Sequence, residues 1–167
     1  MLARRLVARI GQVPHRTYAE PFVGMGGVFF RRDRRPAAEV VNDISQDVVT
    51  LFRVLQHHYL PFIEMIRWQI TSFGVSPGDA ARFEVTKLQP LLETVHDRLT
   101  GVVIERLQWD AFIRRYDRDG TLFYLDPPYW GNETDYGNGV FAPADFERMA
   151  ELLAGIRGRF LLSINDT

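Results

Sequence analysis

Five short segments read as strands, Thr17 to Phe22, Ala38 to Val41, Val102 to Ile104, Leu122 to Leu125 and Phe160 to Ile164, and each is separated from the next by a stretch compatible with a helix. This alternation narrows the fold more than any other feature of the chain. Strands that take turns with helices favour a parallel sheet, because a parallel pair needs a long crossover and a helix supplies one. The helical patterns are distinct. Leu2, Leu6, Val7 and Ile10 fall on one side of a helix that ends at Gly11 and Pro14, with Arg4, Arg5 and Arg9 opposite. Val48, Leu51, Phe52 and Leu55 keep the i, i+3, i+4, i+7 spacing behind the capping residue Ser45. Pro61 opens a pattern through Phe62, Met65, Ile66 and Ile70, and Leu88, Leu91, Leu92, Val95 and Leu99 form another face. Trp109 to Tyr116 suits a short helix, and Pro143 sits at the first position of a helix carrying Phe146, Met149, Ala150 and Leu153. Phe73 to Asp79, rich in Gly, Ser and Pro, reads as a loop.

Composition limits the chemistry. With 46% hydrophobic and 25% charged residues over 167 positions, one globular domain is expected to span residues 1–167. Twenty basic residues against twenty-one acidic ones leave no overall positive field, so any nucleic-acid contact must use local clusters. Arg31, Arg32, Arg34 and Arg35 form one such cluster and Arg114, Arg115 and Arg118 another, each read first as a solvated face. The absence of cysteine removes disulfides, thiolate metal sites, iron–sulfur clusters and a Cys nucleophile. The four His residues lack zinc spacing, so no metal is expected. No apolar run approaches the roughly 20 residues of a membrane-spanning helix, and Arg9 interrupts any signal-peptide core, so a cytoplasmic protein without membrane contact is expected.

Two unusual local sequences stand where strands end, the place at which open parallel sheets bind ligands. The first is Glu20-Pro21-Phe22-Val23-Gly24-Met25-Gly26-Gly27, whose glycines suit a sharp turn and a close backbone approach, with Val28-Phe29-Phe30 expected to open a helix behind them. Asp43 closes the next strand 19 residues after Gly24, near the spacing at which a carboxylate meets ribose hydroxyls. A helix cap accounts for it equally well. The second is Asp126-Pro127-Pro128-Tyr129. A carboxylate on a proline-locked turn can accept a hydrogen bond from an amino group, the Pro127 carbonyl can accept a second, and Tyr129 offers a face for a planar base. A turn with a packed tyrosine is the plainer account.

Together and in this order, these segments resemble the Dam-type family of DNA adenine methyltransferases. Tyr18 to Phe30 looks like the family's cofactor loop, Asn42-Asp43 its second cofactor motif, Asp126 to Tyr129 its catalytic motif, and Phe160 to Asp166 the strand that follows. The resemblance implies a Rossmann-like, doubly wound, mainly parallel α/β sheet with a reduced helical insertion over residues 56–100. It implies S-adenosylmethionine as cofactor, lined by Phe22, Gly24 and Gly26, with Asp43 on its ribose and with Gln108, Trp109 and Asp126 around the rest. It further implies that Asp126, Pro127 and Tyr129 hold an adenine flipped out of double-stranded DNA, and that its amino nitrogen takes the methyl group directly, without a metal.

The chain is expected to be a shortened member. Relatives carry a Gly-Gly-Lys segment before the first helix and an extra helical segment near Trp68 to Val75, and they continue beyond the fifth strand. That strand's outer edge is therefore expected to invite association. Where many relatives carry an acidic residue, Gln108 stands. Two other functions compete: an amino-methyltransferase acting on RNA or a protein amide, and a non-catalytic form that binds cofactor or DNA.

Overall fold

The computed structural model describes residues 2–72, 85–128 and 141–164. The chain divides into two compact units, one of residues 1–49 and 102–167 and the other of Thr50–Gly101.

The first unit holds a five-stranded, wholly parallel sheet, β1 (Thr17–Glu20), β2 (Ala38–Asn42), β3 (Val103–Glu105), β4 (Thr121–Leu125) and β5 (Arg159–Leu162), in the order β3-β2-β1-β4-β5. The order reverses between β1 and β4, which is the doubly wound arrangement with its switch point at those two strands. Helices α1 (Leu2–Gln12), α5 (Trp109–Tyr116) and α6 (Pro143–Ala154) belong to the same unit, and α2 (Gln46–His57) starts in it.

Register fixes what each face carries. Ala19, Val40 and Phe123 are in register and pack with Leu125, Trp109, Phe112, Ile113, Met149 and Leu153 into an apolar core under α5 and α6. The other face carries Tyr18, Glu20, Glu39, Val41, Leu122 and Tyr124, all buried, by the two-residue alternation of strands. Four of these six are polar. β5 pairs with β4 alone among the described residues, and Phe160 and Leu162 on it remain 43% and 39% exposed.

Two expectations need correction. Val28-Phe29-Phe30 does not open a helix of any length; a three-residue 3-10 helix, Phe29–Arg31, is all that forms. Arg32 is the reason. It adopts extended backbone and turns its side chain back to pair with Glu39, which pulls the chain away from a helical course. Arg32 is therefore no part of a solvated basic face: it is 4% exposed, with its guanidinium 3.5 Å above the Tyr18 ring. Its neighbours Arg31, Arg34 and Arg35 are exposed as expected, and so are Arg114 and Arg115, the latter pairing with Glu105 at 2.9 Å.

Strand β1 also stops at Glu20 rather than Phe22, because Pro21 has no N–H to continue the ladder. The Val23 amide then donates to the Asn42 carbonyl at 2.9 Å, which turns the chain across the end of β2.

The second unit consists of the rest of α2 with α3 (Tyr59–Ser72) and α4 (Val85–Leu99). Helix α3 begins two residues before Pro61, which costs nothing there since a first-turn N–H has no partner inside the helix. Phe52, Leu55, Tyr59, Ile63 and Leu99 are buried, the Tyr59 ring stacks on His96 at 4.9 Å, and Gln56 donates to the Leu99 carbonyl at 2.6 Å. The loop expected over Phe73 to Asp79 lies outside the described residues.

Candidate functional site

The ends of β1, β2, β3 and β4 open into one cleft. Pro21, Phe22 and Gly24 from the β1 exit, Asn42, Asp43 and Ile44 from β2, Leu107, Gln108 and Trp109 from the segment after β3, and Pro128 and Phe141 line it. Of the cofactor residues expected from sequence, Phe22, Gly24, Asp43, Gln108 and Trp109 meet here.

Asp43 ties the cleft together. Its Oδ2 accepts the Gly24 amide at 2.8 Å and its Oδ1 accepts the Ser45 amide at 2.9 Å. One carboxylate thus fastens the glycine turn to the start of α2. Each carboxylate oxygen has a lone pair beyond these bonds. Gly24 has φ +49, and the position its Cβ would take meets nothing within 4 Å, so the backbone lies open to a ligand here. Gly26 serves a different purpose. At φ +72, a side chain there would run into the Phe30 ring, so this glycine permits the turn to fold back on itself.

Asn42, which the sequence reading placed in a motif with Asp43 but gave no role of its own, braces the two walls. It is 1% exposed, donates to the Pro21 and Leu107 carbonyls at 2.9 and 3.0 Å, and accepts the Leu107 amide at 2.8 Å. Its place beside Asp43 was the available signal, since an amide at the end of a buried strand must find partners. Asn42→Ala leaves one buried and two part-buried backbone groups without this partner, and chemical unfolding is expected to show a loss of about 2 kcal/mol. Leu107 and Phe141 carried no signal in the sequence. Phe141 meets Phe22 edge to face at 5.9 Å and Trp109 at 6.3 Å, which gives the cleft an aromatic wall.

Asp126 stands one residue past β4 and Pro127 and Pro128 follow, both buried. Pro128 reaches the cleft lining; Asp126, Pro127 and Gly26 do not. Burial pushes the Asp126 carboxyl above the usual carboxylate range, partly countered by the nearby Ser163 and Tyr124 side chains. Its Oδ1 has no hydrogen-bond partner among the described residues. Tyr129 lies outside the described residues.

A larger depression of about 490 Å³ lies between α5 and α6, bordered by Asp110, Arg114, Asp117, Arg148 and Glu151. Arg148 there pairs with Asp110 and Asp145 at 3.3 and 2.6 Å. None of its lining residues comes from a strand end, whereas the cleft collects four of them, although its free volume is only about 30 Å³. Among the described residues there is no group of three or more His, Asp or Glu side chains that could hold a metal ion, and no helix is long and apolar enough to cross a membrane.

A comparison with curated proteins finds no match to the chain. The family model of the D12 class N6 adenine-specific DNA methyltransferases matches residues 1–77, which contain α1, β1, the glycine turn, β2 and Asp43. Over these residues the chain is thus similar to the D12 class N6 adenine-specific DNA methyltransferases, in keeping with the resemblance drawn from the ordered motifs.

Proposed function

We propose that the chain transfers the methyl group of S-adenosylmethionine to the exocyclic amino group of adenine in double-stranded DNA. The observation that carries this reading is the joining of Asp43, Gly24 and the aromatic wall in one cleft at the switch point of a parallel sheet. A nucleoside-bearing cofactor fits that donor set. Asp43 has lone pairs for a ribose diol, Gln108 can hydrogen-bond an adenine edge, and Phe22, Trp109 and Phe141 offer faces to a planar ring.

S-adenosylmethionine, when bound, supplies an electrophilic methyl group that the amino nitrogen takes in line as the carbon–sulfur bond breaks. Asp126 and the Pro127 carbonyl accept the two amino hydrogens of the base, which fixes the direction of the nitrogen lone pair. As positive charge grows on that nitrogen, the Asp126 carboxylate stabilises it, and one proton is then released to water. Tyr129 stacks on the base. Extruding the base from the duplex costs a few kcal/mol, which the stacking and the two hydrogen bonds offset.

Radiolabelled cofactor incubated with DNA, RNA and protein pools tests the acceptor class: label is expected in DNA alone, and label confined to RNA or protein would overturn the reading. Cofactor binding gives a separate check. Asp43→Ala removes the carboxylate proposed for the ribose and is expected to weaken S-adenosylmethionine by roughly 1.5 to 3 kcal/mol in titration calorimetry. Unchanged affinity in a folded variant would restrict Asp43 to its bonds with Gly24 and Ser45.

A further inference from the structure

We propose that Tyr124 is a positioning residue for Asp126, its buried hydroxyl donating to the carboxylate so that Asp126 stays ionised and aimed at the amino group. The proposal rests on the reading of Asp126 as the acceptor of that group.

Geometry brings the two together. Tyr124 and Asp126 are two residues apart along β4 and its exit, so they lie on the same face of the sheet, roughly 6.6 Å apart along the strand. A tyrosine leaning along the strand spans that interval. Tyr124 is 1% exposed, and its hydroxyl, like Asp126 Oδ1, has no hydrogen-bond partner among the described residues. Two unsatisfied buried groups of complementary character on one face are each other's nearest remedy.

The neighbours decide where the Tyr124 proton points. From β1, Tyr18 and Glu20 share this face, and the Tyr18 hydroxyl already donates to Glu20 Oε2 at 2.7 Å. Arg32 covers Tyr18 at 3.5 Å and is itself paired with Glu39. From the exit of β5, Ser163 donates its amide to the Leu125 carbonyl at 2.9 Å, which continues the ladder and sets its side chain beside Asp126. Glu20 is therefore supplied with a donor by Tyr18, and Ser163 and Asp126 are left beside the Tyr124 hydroxyl, of which the carboxylate is the stronger acceptor. Tyr124 keeps a proton to donate. Burial, then the Asp126 and Glu20 charges, push its hydroxyl far above the ordinary tyrosine range, so it keeps its proton at any working pH.

A donor that bonds the charged form lowers a carboxyl's pKa, so deleting it raises the pKa. Tyr124→Phe is thus expected to raise the Asp126 midpoint by roughly 1 to 2 pH units. The acid limb of methyl transfer moves up with it, and turnover well above the limb changes much less. The substitution keeps the ring, and near-ultraviolet circular dichroism checks the fold. Titrating the carboxyl carbon of ¹³C-labelled aspartate by NMR, with the signal assigned by its loss in Asp126→Asn, measures the midpoint without turnover. Tyr116→Phe, which removes a hydroxyl from Glu105 at the far edge, should leave it unmoved. An equal midpoint in wild type and Tyr124→Phe would overturn the proposal. Absence of methyl transfer by the wild type would refute the reading of Asp126, while the NMR titration would still decide the role of Tyr124.

Discussion

Asp126→Ala is expected to lower the single-turnover rate of adenine methylation by roughly three orders of magnitude, the scale seen when a group aimed at developing charge is removed. Cofactor affinity should change little, because Asp126 does not line the cleft in which Phe22, Gly24 and Asp43 meet. The split between the two effects is the informative result. Asp126→Asn keeps an acceptor but loses the charge, so its rate should fall between wild type and alanine. If Asp126→Ala methylates at the wild-type rate, the assignment of the amino group to this carboxylate is wrong. If it instead loses cofactor binding to the same extent as turnover, Asp126 belongs to the cofactor site rather than to the base.

The largest stability effect should come from Glu39→Ala. Arg32 and Glu39 bond at 2.7 Å with side chains 3% and 5% exposed, and Arg32 makes a further bond to the Arg34 carbonyl at 3.3 Å. Removing the carboxylate leaves a guanidinium buried without its counter-charge, which costs about 3 to 5 kcal/mol. That is a large share of the 5 to 15 kcal/mol by which a typical domain is stable. Replacing both partners, Arg32→Met with Glu39→Leu, removes the charges together and should recover most of the loss. Urea unfolding of the three variants measures this. A double variant as unstable as Glu39→Ala would mean that the stacking of Arg32 over Tyr18, rather than charge pairing, holds the segment. The same face carries Tyr18, Glu20 and Tyr124, so the pair also bears on the support beneath Asp126.

Much of this arrangement was legible in the sequence for definite physical reasons. Continuous apolar runs such as Leu122 to Leu125 marked strands, and Asp126-Pro127-Pro128 marked an end, because proline cannot extend a ladder. The glycine turn stood out because ligands sit at strand ends, and Asp43 because of its spacing from Gly24; that Phe22, Gln108 and Trp109 join them was implied by the family resemblance, and one cleft collects all five. What stayed hidden depended on partners far apart in sequence. Arg32 sits in a run of arginines and looks like surface; only its meeting with Glu39 across the sheet buries it. Phe141 reaches the cleft from beyond β4, and Asn42 holds Leu107 from 65 residues away. Glu20 and Tyr124 looked like ordinary strand residues, since the polar character of one sheet face is visible only when β1 and β4 lie side by side in register.

Nucleoside mass spectrometry of duplex DNA, after incubation with the chain and S-adenosylmethionine carrying a deuterated methyl group, tests the central claim most directly. The account predicts N6-methyladenine bearing the deuterated methyl with the wild type and none above background with Asp126→Ala. Label found only on another base, or no label in DNA from a folded wild type that binds the cofactor, would contradict it.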